Sequence, residues 1–510
     1  NFSFIRKIIV HPANSNNIIA AGSRGIWKST DAGETWKYIL DTLLVCDLKQ
    51  NPKEPDILYA ATRWFHNVFS TSGIIKSTDF GETWNRLNTG IPQTSLVSRT
   101  AVAVSPVNPN NVFAIAVRVS GNGFYGLYRS TDAGANWTAS STIGDAPNIL
   151  GWYDGDKSDY SGQGTYDLTL LCDAKNEYQI YVGSVNLWMS TNAGINWEIV
   201  TLWMKTFGST IHADQHYAVY RPLDGYYYFC NDGGLFRTKQ IRAGSKQWIT
   251  DWIDRVNENK KPGCPPFRFP TQWESLTEGL ANTELYRLGL CRNQAGYISG
   301  GSQDNSCFYQ YKGEWLNYVT NYDGMETMIH PENPDIIYGS SQFGRLCKSE
   351  DASVTMDCSL TDTITNYSKE RGSWVTPFAM DPLNPNVIYG GYRNLWRSEN
   401  GGKDWKRIFT SDTSFSLLDN INVISIAPSN PELIIFAKPN QRINDNHKPH
   451  ELWMTKDGGL NWKKIRNGLP LDSQSVVSIA ISGDNPNHIW LSFGSYISRS
   501  KIFRTKDGGE

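Results

Sequence analysis

The sequence predicts an all-β protein made of about ten repeats of four short strands, and three observations lead to this prediction. An eight-residue pattern ending in Trp recurs along the chain, Asn-Pro turns recur between its copies, and apolar runs of strand length flank both. The 510 residues include 44 Gly and 23 Pro as turn residues, and 13% are aromatic. Four short antiparallel strands per repeat are typical of a β-propeller blade.

The recurring pattern is Ser/Thr-x-Asp/Asn-x-Gly-x-x-Trp, which we call the box. An Asp or Asn side chain can accept hydrogen bonds from nearby backbone N–H groups and so fix a tight turn, in which Gly supplies a positive φ. The Trp then enters a strand and offers a large apolar face. The six complete copies are Ser29–Trp36, Ser77–Trp84, Ser130–Trp137, Ser190–Trp197, Ser398–Trp405 and Thr455–Trp462. Because turn formation explains these residues, we assign none of their carboxylates to catalysis.

The other strands of each repeat precede the box. An alternating strand ends in a Pro/Asn turn, as at Val102–Pro106, a second follows, as at Val387–Gly391, and a third, as at Leu395–Ser398, runs into the box. The first strands begin near residues 5, 44, 99, 165, 211, 283, 325, 374, 420 and 475. This gives ten repeats of about 51 residues, within the range of blade repeats. We therefore predict that residues 1–510 form a single ten-bladed β-propeller of four-stranded antiparallel blades, with two smaller propellers as the alternative.

Repeats five, six and seven lack an intact box. In repeat five an insertion at about 239–270 separates the third strand from Trp273, and its aromatic residues make it a candidate lid or partner-docking surface. The segment Gln310–Trp315 replaces the box of repeat six, and Ser349–Asp351 keeps only the beginning of one in repeat seven.

The two ends of the sequence suggest a longer natural protein. The first residue, Asn1, is not an initiator Met, and residues 505–510 begin another box. We expect the natural protein to be processed and to continue beyond Glu510.

Charge and cysteine content exclude several classes of protein. The net charge of −2 lacks the basic footprint of a nucleic-acid-binding protein, and no run of about 18 apolar residues predicts a membrane-spanning helix. The eight cysteines include no CxxC pair, so zinc-ribbon and thioredoxin-like sites are not predicted. Cys347 and Cys358 flank the damaged turn of repeat seven, and we predict that this pair forms a disulfide.

A polar segment at residues 212–216 is the most informative local signal. Alternate residues of a strand share one face, so His212, Asp214 and His216 would point the same way, beside the central channel. Polar residues recur at similar strand ends in repeats four to seven. Asp167 is one of these, and the further candidate ligand-binding residues are Asn231, Asp232, Gln303, Asp304, Asn305, Asp323 and Glu326. The loop 151–156 contains Trp and Tyr beside Asp, and it could border the same side of the blades as these polar residues.

Three interpretations of these residues stay open. They could be structural hydrogen-bonding groups between blades. They could bind a peptide, a glycan or a divalent metal, with His212, Asp214 and His216 as metal ligands. They could also be acids and bases of a glycoside hydrolase, with Asp214, Asp304 or Asp323 in those roles.

The boxes and several other segments resemble those of the Asp-box (BNR) repeat proteins and of Vps10/sortilin-type propellers. A closer resemblance is to large secreted proteins of Bacteroidetes that the type 9 secretion system exports. The segments behind it are Gly164–Leu168, Tyr181–Gly183, His212–His216, Asn231–Gly234, Gly301–Asn305 and Tyr322–Glu326. The resemblance implies an extracellular or outer-surface location, often a C-terminal sorting domain, and a function in binding or adhesion.

Two enzyme families with similar repeats fit less well. Sialidases with such repeats carry an early Phe-Arg-Ile-Pro motif, where this chain reads Phe4–Lys7 as FIRK. Xyloglucanase-type propellers place an Asp in a first-blade segment, which matches Gly22–Ile26 here and contains no carboxylate. The sequence therefore favours an extracellular or cell-surface protein that binds a protein, peptide or glycan near blades four to seven. The alternatives are a glycoside hydrolase acting on a polysaccharide and a structural component of a surface assembly.

Overall fold

The computed structural model describes most of the chain and divides it into two compact units. The described residues are 4–40, 44–63, 73–87, 89–92, 95–152, 160–203, 211–244, 271–280, 283–319, 322–411, 420–439, 442–443, 446–447, 450–494 and 501–509. Unit 1 comprises Asn1–Asn282 and unit 2 comprises Thr283–Glu510.

Unit 1 contains five four-stranded antiparallel sheets, blades 1 to 5, in which each strand pairs with the next strand in sequence. Its strands are β1 (Ile5–His11), β2 (Asn14–Gly22), β3 (Gly25–Ser29), β4 (Lys37–Leu40), β5 (Leu44–Gln50), β6 (Leu58–Arg63), β7 (Gly73–Ser77), β8 (Asn85–Leu87), β9 (Val97–Val104), β10 (Val112–Arg118), β11 (Phe124–Ser130), β12 (Thr138–Thr142), β13 (Thr169–Cys172), β14 (Ile180–Gly183), β15 (Leu187–Ser190), β16 (Glu198–Thr201), β17 (Gln215–Arg221), β18 (Tyr226–Asn231), β19 (Gly234–Thr238) and β20 (Glu274–Ser275).

Unit 2 contains blades 6 to 10, of which blades 7 and 10 have three strands in the described part of the chain and the others four. A two-stranded hairpin, β34–β35, lies between the second and third strands of blade 9. The strands are β21 (Leu285–Leu290), β22 (Ile298–Ser302), β23 (Cys307–Tyr311), β24 (Glu314–Tyr318), β25 (Thr327–Ile329), β26 (Ile337–Ser341), β27 (Arg345–Ser349), β28 (Phe378–Met380), β29 (Ile388–Gly391), β30 (Leu395–Ser398), β31 (Lys406–Phe409), β32 (Val423–Ala427), β33 (Asn430–Lys438), β34 (Arg442–Ile443), β35 (Asn446–His447), β36 (Glu451–Thr455), β37 (Lys463–Lys464), β38 (Ser475–Ile481), β39 (Ile489–Gly494) and β40 (Ile502–Thr505). Short helical segments occur at Gln342–Gly344 and Thr363–Tyr367.

The all-β class and the ten blades are confirmed. Each first strand begins within four residues of its predicted start. The single propeller over residues 1–510 stays a prediction, because each unit holds five blades. Among the described residues, no helix has the length and apolar character needed to cross a membrane.

Each box forms the turn that its residues predict. In blade 3, the N–H of Gly134 donates to Ser130 Oγ (2.8 Å) and the N–H of Asn136 donates to Asp132 Oδ1 (2.8 Å). The indole N–H of Trp137 then closes the turn on the Gly134 carbonyl at 2.9 Å. The glycine-to-hydroxyl bond recurs in all six complete boxes at 2.8–3.1 Å.

Blade 7 forms the complete turn of a box, although its sequence keeps only the beginning of the pattern. Ser353 stands where the other boxes have Gly, with φ 78°, and its N–H donates to Ser349 Oγ at 2.9 Å. The N–H of Thr355 donates to Asp351 Oδ1 at 2.8 Å. The turn therefore depends on the hydroxyl and the carboxylate, and it tolerates a serine in the left-handed region and Met356 in place of Trp.

Blades 5 and 6 lack the box, as predicted. In blade 6, a two-residue turn at Lys312–Gly313, with positive φ at both residues, joins β23 to β24. In blade 5, Trp273 packs edge-on against Phe229 at 5.3 Å between ring centroids. Most of the insertion, 245–270, lies outside the described residues, so its predicted docking role stays a prediction.

The core lies between the faces of neighbouring blades. One cluster, for example, joins Ile115 and Leu127 of blade 3 to Ile180 and Trp188 of blade 4. All of these side chains are buried. Stacking buries the apolar face of each sheet, which a single blade could not do alone.

The predicted disulfide between Cys347 and Cys358 is confirmed. It joins β27 to the segment after the box of blade 7, where a single bridge between Lys348 and Asp357 replaces a fourth strand. Cys347 belongs to the core cluster that blades 6 and 7 share.

Candidate functional site

The loops of each blade lie at the two opposite ends of its strands, and we call these two ends the edges of the blade. Because the strands run back and forth, the box and the Asn-Pro turn lie at one edge, the box edge. The loop that enters the blade and the turn between its second and third strands lie at the other, the entry edge. All ten candidate residues lie at entry edges. Unit 1 holds His212, Asp214, His216, Asn231 and Asp232, and unit 2 holds Gln303, Asp304, Asn305, Asp323 and Glu326.

The prediction that His212, Asp214 and His216 share one strand face is wrong. Strand β17 begins only at Gln215, and Asp214 has φ 63°, which breaks the alternation of an extended strand. Among the described residues, the two imidazoles and this carboxylate do not form a group with metal-ligand spacing. The structure therefore does not fit the predicted metal site.

His216 and Asp232 instead form a pair at the surface of blade 5. His216 Nε2 lies 2.6 Å from Asp232 Oδ1, and the Tyr166 hydroxyl donates to Asp232 Oδ2 at 2.9 Å. The Tyr166 ring meets the imidazole edge-on, with 5.0 Å between centroids, and is 49% exposed. These contacts fix the imidazole beside an accessible aromatic ring.

A buried pair of carboxyl groups lies at the same edge. Gln163 Nε2 donates to Asp214 Oδ1 (2.9 Å), and Ser184 Oγ donates to Asp167 Oδ1 (2.8 Å). Burial, and then the neighbouring charge of Asp214, raise the pKa of Asp167 well above its ordinary value. This shift favours the protonated form of Asp167, which suits a structural role.

His212 and Asn231 shape the backbone. His212 is buried and packs against the backbone of Gly233. Only glycine fits there, because a Cβ at position 233 would lie 2.3 Å from His212 Cβ. Asn231 Nδ2 donates to Gln215 Oε1 at 3.3 Å, and Asn231 Oδ1 accepts the N–H of Gly233 at 3.1 Å. For these two residues the structural interpretation is the better one.

In unit 2, the predicted residues of blades 6 and 7 meet through the backbone. Asp323 Oδ1 accepts the N–H of Asp304 at 3.0 Å, and Asn305 Nδ2 donates to the Gln303 carbonyl at 3.1 Å. Asp304 has φ 56°, so a short left-handed turn presents its side chain. Asp304 and Asp323 meet because blade order makes the two strand ends neighbours.

An aromatic pair that the sequence did not indicate lies beside them. The indole N–H of Trp374 donates to the Tyr286 hydroxyl at 3.1 Å, and this hydroxyl donates to Gln303 Oε1 at 3.2 Å. Trp374 is 46% exposed and meets Phe343 edge-on at 5.3 Å. The only sequence signal for Trp374 was its position. It lies just before the first strand of blade 8, as several of the polar candidates lie just before the first strands of their own blades.

Glu326 of unit 2 is an acid whose pKa is shifted by burial. Burial raises the pKa of Glu326 to about 7, and the charge of Arg287 opposes this shift. Arg287 Nε lies 3.5 Å from Glu326 Oε2. A carboxyl group with a pKa near 7 can hold or release a proton at neutral pH, as a general acid must.

The predicted framing loop of unit 1 is partly described. Asn186 Nδ2 donates to the Gly151 carbonyl at 3.1 Å, and Asn186 Oδ1 accepts the N–H of Trp203 at 2.8 Å. Trp152 and Trp203 meet edge-on at 6.1 Å. Residues 153–156 lie outside the described residues.

Comparisons with known proteins support the fold. No family model matches the chain, and no curated protein matches it. The chain is similar to the crystal structure of an ancestral GH74 enzyme, with 13% identity over 99% of this chain and 87% of that chain, and a TM-score of 0.51. It is also similar to the GH74 xyloglucanase of Xanthomonas campestris (16% identity, 99% and 73% coverage, TM-score 0.33). A further structure is PorZ, a bacterial surface component of the type-IX secretion system of Porphyromonas gingivalis (12% identity, 99% and 68% coverage, TM-score 0.42). Fold and site together define a β-propeller protein with polar and aromatic groups at its entry edges.

Proposed function

We propose that this protein is an extracellular or cell-surface binding protein that recognises a glycan at the entry edge of unit 2. The observation behind this proposal is the exposed indole of Trp374, held beside Gln303 and the carboxylates of blades 6 and 7. Small ligands are bound where aromatic surface adjoins a few well-placed polar groups. A sugar ring offers an apolar face to the indole and hydroxyl groups to the amides and carboxylates.

The indole is oriented before any ligand binds. Its N–H is taken by Tyr286, and its ring is held edge-on by Phe343. An aromatic side chain whose orientation is fixed loses little conformational entropy on binding. Tyr322 adds a second exposed ring at the same edge, 48% exposed and under the guanidinium of Arg345 at 5.5 Å.

The disulfide supports the extracellular location. Cys347 is fully buried in the core, so the bond between Cys347 and Cys358 is part of the folded structure. Structural disulfides persist in oxidising compartments and are rare in the cytosol.

The test is a panel of soluble polysaccharides and oligosaccharides, with binding measured by calorimetry. We expect Trp374→Ala to weaken binding about tenfold or more, as is common for a central aromatic contact. Trp315→Ala is the matched control, because Trp315 is also exposed and in unit 2 but lies on β24 next to the box-edge turn. Equal binding by the two variants contradicts the proposal.

Other ligands would give different results. Binding of a peptide, but of no sugar, that depends on Trp374 would assign the site to a protein partner. A protein that copurifies, and whose association Trp374→Ala does not change, would favour a structural component of a surface assembly.

A second candidate function, glycoside hydrolysis, is favoured by one observation. The pKa of Glu326, raised to about 7, suits a general acid, and Asp323 and Asp304 lie at the same entry edge. Retaining and inverting hydrolases both need one protonated and one ionised carboxyl group.

This candidate is tested by release of reducing sugars from the same panel. Glu326→Gln should abolish turnover if Glu326 is the acid, and Asp323→Asn or Asp304→Asn should do so if either is the base or nucleophile. Binding without turnover by the wild-type protein would exclude hydrolysis of those substrates.

A further inference from the structure

A cleft of about 170 Å³ opens at the entry edge of blade 8, in unit 2. Its walls come from the loop 368–371, from the turn before β30 and from the end of β31. The volume exceeds that of one water molecule several-fold. The cleft can therefore hold a small polar group together with the atoms that carry it.

Positive charge dominates the walls of this cleft. Four cationic side chains line it, and Glu370 is the one carboxylate among the described lining residues. The four cations are Lys369, Arg371, Arg393 and Arg407.

Neutral donors already occupy the Glu370 carboxylate. It accepts the backbone N–H of Asn394 at 3.2 Å, Asn394 Nδ2 at 2.6 Å and the indole N–H of Trp396 at 3.3 Å. These bonds hold the acid against the wall of blade 8. Among the ion pairs that the described residues form, none includes Lys369, Arg371 or Arg407.

Aromatic rings hold two of the guanidinium groups in place. The guanidinium carbon of Arg371 lies 3.5 Å from the centroid of the Phe343 ring, and that of Arg407 lies 5.8 Å from the centroid of Trp396. A guanidinium stacked on a ring keeps its N–H edge available for two parallel hydrogen bonds to an oxyanion. Asn420 Nδ2 donates to the Arg371 carbonyl at 3.0 Å and so fixes the loop that presents this side chain.

A further cation lies behind the cleft. Lys438 is buried, and its ammonium group donates to Ser411 Oγ, a lining hydroxyl, at 2.7 Å. Buried positive charge also strengthens the attraction for an anion, since it is less screened by water.

We propose that this cleft binds an oxyanion, a phosphate or sulfate group, with Arg371 and Arg407 as its main contacts. The group could be a free ion or an ester on a glycan. The cleft adjoins the Trp374 site, because the Phe343 ring contacts both Arg371 and Trp374. The two proposals are tested with different ligands and different substitutions, so either can fail while the other holds.

The experiment is calorimetric titration of the full chain at low ionic strength with inorganic phosphate, inorganic sulfate, glucose 6-phosphate and glucose. We expect both oxyanions to bind and glucose not to bind. Arg371→Ala and Arg407→Ala should each weaken oxyanion binding about tenfold or more, the loss expected for one hydrogen-bonded charge contact. Arg371→Lys should lose part of the affinity, because it keeps the charge but not the paired donors.

The control is Arg504→Ala, an exposed arginine on β40 of the same unit. It should bind phosphate as the wild-type protein does. Tighter binding of glucose 6-phosphate than of phosphate would identify an ester as the ligand, and equal binding would identify the free ion. Absence of binding to both oxyanions, or equal affinity in Arg371→Ala, Arg407→Ala and Arg504→Ala, would overturn the proposal.

Discussion

Glu326 shows how one side chain can couple stability to pH in unit 2. Its pKa in the folded protein is about 7, against an ordinary value of 4.5. The folded state therefore holds this proton more tightly than the unfolded chain does. The stability that the proton confers is fully present below about pH 4.5 and is lost as the pH rises to about 7.

We expect Glu326→Gln to remove this dependence. At about 1.4 kcal/mol per pKa unit, the variant should gain on the order of 3 kcal/mol relative to the wild type between about pH 4 and about pH 8. Urea unfolding of both proteins at several pH values measures the difference. The surface variant Glu432→Gln is the control, and a Glu326→Gln profile parallel to that of the wild type would contradict the pKa assignment.

The box is the element in which a local sequence pattern fixes local structure most directly. Ser130 is buried, accepts the N–H of Gly134 at 2.8 Å and donates to Asp132 Oδ1 at 2.7 Å. Replacing Ser130 with Ala would leave a buried N–H without its acceptor. We expect the free energy of unfolding to fall by about 1–3 kcal/mol.

Urea unfolding of Ser130→Ala beside Ser120→Ala checks this expectation, because Ser120 is exposed and lies near the same strand. The control should stay within about 0.5 kcal/mol of the wild type. Equal stability of the two variants would show that the hydroxyl does not hold the turn.

The same element shows what could be predicted from sequence. Strands, turns and ten blades were predictable because their signals are local and repeat. The turn of blade 7 was misjudged because the absence of Gly and Trp was taken as the loss of the turn, whereas a hydroxyl and a carboxylate that accept backbone N–H groups are enough to form it. Ser349 and Asp351 supply these two groups, and Ser353 accepts a positive φ.

The site was less predictable because its contacts are distant or depend on one backbone angle. Trp374 and Tyr286 are 88 residues apart in the sequence, and a repeating sequence pattern does not predict a contact between them. A single positive φ at Asp214 was enough to separate His212 and His216 from the face that alternation assigned to them. Asp304 and Asp323 of blades 6 and 7 are in contact, which blade order alone explains.

At the scale of the whole molecule, the core is organised by unit. Among the described residues, four apolar clusters lie wholly in unit 1 and four wholly in unit 2. A unit that buries its apolar surfaces within itself has its own hydrophobic core, which is what a domain needs in order to fold independently.

We therefore expect residues 1–282 and 283–510 to fold when produced separately. Each half should give an all-β circular dichroism spectrum and a cooperative urea transition, with an m-value below that of the full chain because less surface is exposed on unfolding. The full chain under the same conditions is the control. If neither half folds, and the full chain unfolds in one transition with an m-value appropriate to its length, then the ten blades depend on one another, as in the single propeller that the sequence predicts.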